Sequence, residues 1–388
     1  MFHRIFEPGK KHSFFLFGAR GTGKSTLLRN WFKKTPSLYI DLLDPEEEEA
    51  FLRNPGELKQ RLDGLPAGTH WIILDEIQKI PRLLDAVHAA IENRGMYFAL
   101  TGSSARKLKR GEANMLAGRA FIHHLFPLTH LEIGEGFALE TALHFGTLPK
   151  VLGFEDSEDK IGFLKAYSLT YLKEEIAAEQ LVRKLQPFRG FLEVAAQCNG
   201  QILNFSRISR EVGADVKTVQ GYFEILEDTL MGFLLPAFHE SVRKRQSHAP
   251  KFYFFDTGVK RALERTLTQN FGPGTYAYGN AFEHFLILEI FRLSSYSGKD
   301  WKFSYLRTKD GVEIDLIVER PGLPKALVEI KSKDRVSAED VAPLERLARD
   351  MPKSEAFCLS RDLSRKRIGS VSCLPWRDGL RELGLGVE

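Results

Sequence analysis

In its first part the chain alternates short, uninterrupted apolar runs with longer stretches in which apolar residues recur at helical spacing. Runs such as Phe14-Phe15-Leu16-Phe17 and Trp71-Ile72-Ile73-Leu74 are the length of a strand and carry no polar face, as in strands buried on both sides of a sheet. This predicts strands over 13–17, 38–41, 71–75, 97–101 and 121–125, with helices between them. One helix follows the first strand from Thr26, and another runs from Leu83 to Asn93 with Pro81 near its start. Strands alternating with helices imply an α/β domain with a mostly parallel sheet. Pro127, Gly134 and Gly136 mark its end, so a first domain is set at residues 1–135.

From 136 to 262 the pattern becomes mainly helical. Apolar residues keep helical spacing from Phe163 through Leu181. A short helix then reads as capped near Ser206 and stopped at Gly213, and a second runs from Val216 to Thr229. Val216, Val219, Phe223, Leu226 and Leu230 would form the apolar face of the second helix. Two apolar strands follow, Phe233 to Phe238 and Phe252 to Phe255, and the stretch between them carries Arg243-Lys244-Arg245. Two short helices about a glycine turn, then a basic hairpin, suggest a winged helix-turn-helix. Lys217, Thr218 and Gln220 would stand at the exposed start of its second helix, facing DNA bases or phosphates together with Arg243, Lys244 and Arg245. The same pattern also describes a helical packing module that touches no DNA.

The last region, 263–388, opens with a helix from Tyr278 to Ser294 carrying Glu283. Strands over Trp301–Leu306, Val312–Val318 and Ala326–Ile330 come next. Side chains alternate faces along a strand, so Glu329 and Lys331 point the same way, and a neighbouring strand can bring Asp315 beside them. Gathered carboxylates repel unless a cation neutralises them, and Mg²⁺ favours such oxygen sites. Asp315, Glu329 and Glu283 are therefore candidate metal ligands, with Lys331 placed to stabilise charge on a phosphodiester under attack. A half-buried sheet with an alternating polar face gives the same spacing.

The most specific chemistry lies between the first strand and the first helix. Gly18-Ala19-Arg20-Gly21-Thr22-Gly23-Lys24-Ser25 has the full spacing of a phosphate-binding P-loop, and Thr26 continues it into the helix. Backbone N–H groups of such a loop face phosphate oxygens, aided by the helix N-terminus. Lys24 would reach the β- and γ-phosphates of ATP, and the Ser25 hydroxyl would help hold Mg²⁺. The third strand ends in Asp75-Glu76, the form of a Walker B strand. Asp75 would bind the Mg²⁺ and Glu76 would orient or deprotonate the attacking water. Ser103, just after the fourth strand, is the candidate polar contact to the γ-phosphate or that water.

Composition constrains the rest. The 388 residues suit two or three domains, and 43% hydrophobic with 27% charged residues is ordinary for a globular protein. A net charge of +4 does not by itself point to nucleic acid, although Arg106-Lys107-Leu108-Lys109-Arg110, Arg243-Lys244-Arg245 and Arg365-Lys366-Arg367 are local basic clusters. No apolar run reaches the ~20 residues of a membrane span, and Met1-Phe2-His3-Arg4 does not begin a signal peptide. Cys198, Cys358 and Cys373 are few and far apart in sequence, which argues against a disulfide framework or a zinc site. A cytoplasmic, membrane-free protein is expected.

These motifs resemble a bacterial and archaeal group of AAA-type ATPases. Gly18 to Ser25, Asp75-Glu76, Leu100-Thr101-Gly102-Ser103-Ser104 and Leu116-Ala117-Gly118-Arg119 are similar to that group's N-terminal ATPase domain. Gly146-Thr147-Leu148-Pro149 and Pro250-Lys251-Phe252-Tyr253-Phe254-Phe255-Asp256-Thr257-Gly258 resemble its following domain, one of unknown function (DUF4143-like). The resemblance implies an AAA-like sheet order, a homo-oligomer and an arginine reaching a neighbouring subunit's γ-phosphate, with Arg119 the first candidate and Arg106 the second. Glu283, Asp315, Glu329 and Lys331 are similar to the constellation of PD-(D/E)XK nucleases, a restriction-endonuclease-like α/β fold, although Ile314 replaces the proline of that signature. The expected activity is ATP-driven control of DNA engagement or cleavage, branched DNA included. Two other readings fit the same residues. One is a DNA-binding remodeller whose nuclease fold only grips. The other is a nucleotide-switched signalling ATPase that binds a protein partner.

Overall fold

The computed structural model describes residues 2–104, 116, 118–171, 185–239 and 248–386. The chain divides into two compact units, one of Met1–Leu128 with Ile225–Met231 and one of Thr129–Glu224 with Gly232–Glu388.

The first unit is built on a five-stranded sheet in the order β2-β3-β4-β1-β5. Its strands are β1 (Ser13–Phe17), β2 (Ser37–Asp41), β3 (Trp71–Asp75), β4 (Tyr97–Gly102) and β5 (Ala120–His124). Every pairing is parallel. All five residues of β1 and of β3 are buried, which is why those runs carry no polar face. On one face, Phe15, Phe17, Ile72 and Leu74 pack with Phe51, Leu58, Leu83, Val87 and Phe98 in one apolar core. In a parallel sheet the carboxyl ends of the strands lie along one edge, where ligands bind in such folds. The turns after β1, β3 and β4 share that edge.

The second unit holds the helix pair Phe205–Val212 and Val216–Asp228, the latter running into the first unit's Ile225–Met231 segment. Asn204, not Ser206, caps the first of these helices: its side chain accepts from the Arg207 N–H at 3.0 Å. Gly213, at φ 67°, ends it as expected. Val219 and Phe223 are buried, but Val216 is 37% exposed, so the apolar face starts one turn later than its sequence suggests. Antiparallel strands β6 (Gly232–Leu235) and β7 (Lys251–Phe254) follow. The basic cluster Arg243, Lys244 and Arg245 lies outside the described residues, as do Arg106–Arg110. The expected helix from Phe163 to Leu181 is helical over Ser157–Ala166, then widens into a π-helical turn at Tyr167–Tyr171; its remainder is also outside the described residues.

A six-stranded mixed sheet completes this unit, in the order β12-β13-β11-β10-β9-β8. Its strands are β8 (Lys302–Arg307), β9 (Glu313–Glu319), β10 (Lys325–Lys331), β11 (Ser354–Ser360), β12 (Lys366–Ile368) and β13 (Val371–Pro375). Strands β8, β9 and β10 pair antiparallel, whereas β10, β11 and β13 run parallel. The helix Tyr276–Tyr296 is capped by Thr275 and covers this region with buried Phe282, Phe285, Leu286 and Ile290. Cys358 and Cys373, distant in sequence, are register neighbours on β11 and β13 and remain free thiols in the core.

The unit is also stitched by a buried clasp. Asp256 is fully buried; its carboxylate accepts from the Thr147 N–H at 2.8 Å and the Val259 N–H at 3.1 Å. Gly258 packs so closely that a Cβ there would lie 2.0 Å from the Phe145 carbonyl oxygen. Arg292, 2% exposed, donates to Thr147 Oγ1 at 3.0 Å and to the Phe255 carbonyl at 2.6 Å. The two downstream motifs of the family resemblance thus meet each other and hold the long helix.

Candidate functional site

The loop from Gly18 to Gly23 leaves β1 and feeds the helix Lys24–Trp31. Gly18 must be glycine here, since a Cβ would sit 2.3 Å from the Leu125 carbonyl oxygen. Gly21 and Gly23 have φ of 78° and 95°, the left-handed region that side chains resist. Thr22 turns the loop back on itself, donating through Oγ1 to the Ala19 carbonyl at 2.8 Å. Lys24 is buried and its ammonium donates to the Gly18 carbonyl at 2.7 Å, folding over the loop it follows. Arg20 and Thr26 stay exposed and Ser25 half-exposed at the helix start. Glycines that open the backbone, with a lysine curled over them, form a cradle that fits the phosphates of ATP.

Across this edge, Asp75 is buried and accepts hydrogen bonds from the hydroxyls of Tyr39 and Thr101. Burial and the Asp75 carboxylate raise the Tyr39 phenol above its ordinary value, so Tyr39 stays a donor. Glu76 has φ 63°, an unusual backbone for a side-chain-bearing residue, and its N–H donates to Thr101 Oγ1 at 2.9 Å. Its carboxylate lies 3.9 Å from Lys24. Gln78, which sequence reasoning passed over, joins two expected residues: its amide donates to Glu76 and, at 3.1 Å, to Ser103 Oγ. A glutamine two residues past the paired carboxylates, after Ile77, was the available signal. Lys24, Asp75, Glu76 and Ser103 thus come together. Arg119 instead forms an ion pair with Glu92 of its own chain.

The second cluster lies in the second unit. Asp315 and Glu329 stand one step beyond the last paired residues of β9 and β10, Leu316 and Val328. Asp315 accepts from the Ile330 N–H at 2.8 Å, and Lys331 Nζ lies 2.6 Å from Glu329. Burial, then the charges of Glu329 and Glu283, push the Asp315 carboxyl well above its usual range. Burial also raises Glu329, against the opposing pull of Lys331. The sequence missed three members of this cluster. Glu313 points from β9, and from β7 come Lys251, whose ammonium is 2.5 Å from Glu313 and 3.6 Å from Glu283, and Tyr253, whose hydroxyl donates to Glu283 at 2.7 Å. Their signal was the polar residues alternating in an otherwise apolar run, Lys251-Phe252-Tyr253.

Glu283, Asp315 and Glu329 do not stand as a ready-made three-ligand cage; among the described residues no three His, Cys, Asp or Glu side chains are so arranged. The physical reason is the two lysines, which draw Glu283 and Glu329 toward themselves. In the helix pair, Lys217 and Gln220 are exposed, while Thr218 is turned back to Asp215, which caps the helix by accepting from the Thr218 N–H and hydroxyl.

Comparison with known proteins separates the chain into three stretches. An AAA domain model matches residues 10–134, a domain of unknown function (DUF8612) matches 136–270, and a second domain of unknown function (DUF4143) matches 278–378. Among whole proteins, the chain is similar to an uncharacterized protein of Mycobacterium tuberculosis, Rv2008c, at 28% identity over 89% of this chain and 77% of that one. It is also similar to an uncharacterized protein of Methanocaldococcus jannaschii, MJ1637, at 22% identity over 96% and 85% of the two chains. Among solved structures, the Walker-type ATPase PABY2304 of Pyrococcus abyssi aligns with 64% of this chain and 90% of its own, at 14% identity and a TM-score of 0.43. No helix of the described residues is long and apolar enough to cross a membrane. With the AAA model spanning the P-loop, the Asp75-Glu76 pair and the parallel sheet that presents them, residues 10–134 carry a P-loop ATPase domain of the AAA type.

Proposed function

We propose that this protein hydrolyses ATP to control its engagement of DNA, and that Asp315, Glu329 and Lys331 form a nuclease-like centre dependent on a divalent cation. In the ATPase, Lys24 and the loop N–H groups hold the phosphates, Ser25 and Asp75 hold Mg²⁺, and Glu76 serves the attacking water with Gln78 and Ser103 fixing its position. Arg119 would complete a neighbour's site in a homo-oligomer, which requires its pair with Glu92 to open. Lys217, Thr218, Gln220, Arg243, Lys244 and Arg245 form the DNA-binding surface of this reading.

The observation that carries the C-terminal half is the meeting of Asp315, Glu329 and Lys331 at the paired ends of β9 and β10, with Glu283 nearby. Two carboxylates held above their ordinary range by burial and mutual repulsion are hard oxygen donors short of positive charge, a set that fits Mg²⁺ or Mn²⁺. Such an ion, when bound, polarises a phosphodiester and lowers the pKa of its water. Asp315 and Glu329 would hold it, and Lys331 would stabilise charge developing on the phosphate.

The test incubates the protein with duplex, single-stranded and four-way-junction DNA, with and without ATP and with Mg²⁺ or Mn²⁺, and follows binding and cleavage together. Cleavage is expected only with the divalent cation, and is lost in Asp315→Asn, Glu329→Gln or Lys331→Ala protein while ATP hydrolysis is unchanged. Binding without cleavage would leave the C-terminal sheet as a gripping element. An absence of salt-dependent DNA affinity would favour a nucleotide-switched protein with a protein partner.

A further inference from the structure

The carboxyl ends of the parallel strands β10, β11 and β13 share one edge of the six-stranded sheet, and a crevice of about 800 Å³ lies there. Small-ligand sites span ~300–1,000 Å³, and this edge is where ligands meet parallel strands. Ser360 and Pro375, the last residues of β11 and β13, line it, as do the arginines Arg335, Arg361, Arg377 and Arg381. It shares no residue with Asp315, Glu329 and Lys331, so an occupant of the crevice needs no cation at that centre.

Three aspartates also line the crevice, but each already has a cation. Asp334 lies 3.4 Å from Arg361, Asp378 3.2 Å from Arg381 and Asp362 2.6 Å from Lys366. Asp362 accepts from the Val336 and Ser364 N–H groups as well, both at 3.0 Å. Arg335 and Arg377 are left without an acidic partner, and neither makes a hydrogen bond among the described residues. Arg377 is nevertheless held in place: its guanidinium lies over the Phe137 ring at 5.4 Å and the Trp376 ring at 5.2 Å. Arg361 lies over Tyr278 at 5.1 Å, and the Tyr278 hydroxyl donates to Glu140 at 2.7 Å. Stacking uses the face of a guanidinium and leaves the N–H groups on its edge free to donate. Arg361 has donors to spare, since its Nη1 is buried with no hydrogen-bond partner among the described residues.

We propose that this crevice is a phosphate-binding site, in which Arg335 and Arg377 grip a phosphate group and Arg361 supplies a third guanidinium. Planar forks of paired N–H groups match phosphate oxygens. A carboxylate, with two oxygens, would be satisfied by one such fork, whereas a phosphate has oxygens and charge for several. The phosphate is carried by a DNA strand or by a small phosphorylated molecule. Leu363, which lines the crevice and is 92% exposed, offers an apolar contact to what the phosphate is attached to.

The experiment compares the full-length wild type with Arg335→Gln/Arg377→Gln protein. Their P-loops are identical, so a difference between them belongs to the crevice. Calorimetric titration with inorganic phosphate, without nucleotide or divalent cation, should find an ion in the wild type that the double variant binds about tenfold more weakly or not at all. Acetate at matched ionic strength should show no such difference. Arg335→Lys/Arg377→Lys protein, which keeps the charges but not the forks, should fall between the two. Both arginines are exposed, so the variants should melt at the wild-type temperature and hydrolyse ATP at the wild-type rate. A second arm measures affinity for short single-stranded DNA with and without a terminal phosphate. If the phosphate lies within a strand, the double variant binds both DNAs more weakly and its log–log salt slope flattens by about 0.7. If it is terminal, only the phosphorylated DNA loses affinity; if it belongs to a small molecule, neither does while the inorganic phosphate difference remains. Equal binding of inorganic phosphate by the wild type and either double variant, or acetate bound as tightly as phosphate, would overturn the inference.

Discussion

Glu76 sits in a backbone conformation that costs of order 1 kcal/mol or more for a residue with a side chain. That local strain aims its carboxylate at Lys24 and Gln78 instead of continuing β3. Glu76→Gln protein should therefore bind ATP normally and lose roughly 10²- to 10⁴-fold in hydrolysis rate; parallel nucleotide-binding and turnover assays check it, and near-normal turnover would place the base elsewhere. A second residue predicts a pH response. His284 is fully buried with Nε2 2.6 Å from the Phe254 carbonyl oxygen, and burial pulls its pKa down to about 3. Below about pH 6.5 the unfolded chain takes up a proton that the folded protein refuses, so unfolding binds protons and stability falls as pH falls. Between pH 7 and 5 the expected loss is about 2 kcal/mol. Urea unfolding at the two pH values should show that loss, and His284→Gln protein should show a shallower one; equal slopes would remove His284 as the cause. At this scale the sequence was most legible where chemistry is local. Lys24, Asp75 and Glu76 lie within or beside the strand turns that position them. Lys251 and Tyr253 were not legible, because their meaning comes from carboxylates brought to them by pairing distant in the chain.

Elements were legible where burial was complete. β1 and β3 match their apolar runs residue for residue, because a two-sided buried strand has no other pattern. The expected sequence of strands stopped at Ile330, yet β11 and β13 follow. Their signal, Ala356-Phe357-Cys358-Leu359, is the same kind of continuous run. The π-helical turn at Tyr167 could not be read from spacing, since apolar periodicity barely distinguishes a widened turn from an ordinary one. Among the helices, Val216–Asp228 makes the clearest claim. Its Lys217 and Gln220 are solvent-facing while Val219 and Phe223 hold the opposite side in the core. Replacing Lys217 and Gln220 by Ala should weaken DNA binding without loss of folding, and losing the Lys217 phosphate contact should flatten the log–log salt slope by about one. Fluorescence anisotropy at several salt concentrations measures both; an unchanged slope and affinity would make this helix a packing element.

On the scale of the whole molecule, length and composition bounded the number of domains but not how the chain is shared among them. Residues 225–231 belong with the ATPase unit although they lie far from it in sequence. The stretches 136–262 and 263–388 fall in one compact unit, apart from that segment. Sequence patterning could not show this, because a change from helical to mixed periodicity marks a change of element type and not a gap in packing. The clasp around Asp256 has a practical corollary for anyone cutting the gene into pieces. A fragment spanning 263–388 would carry Glu283 without Lys251 and Tyr253, and the Arg292 guanidinium without Thr147 and Phe255. Stranding a buried charge in this way costs about 3–5 kcal/mol, a large share of what a domain of that size has to spare. Such a fragment should show no cooperative melting transition, whereas one spanning 129–388 should melt sharply. The expected unit of expression, and of any transplant into another protein, is therefore the longer piece, since the buried partners of Glu283 and Arg292 lie upstream of the C-terminal sheet.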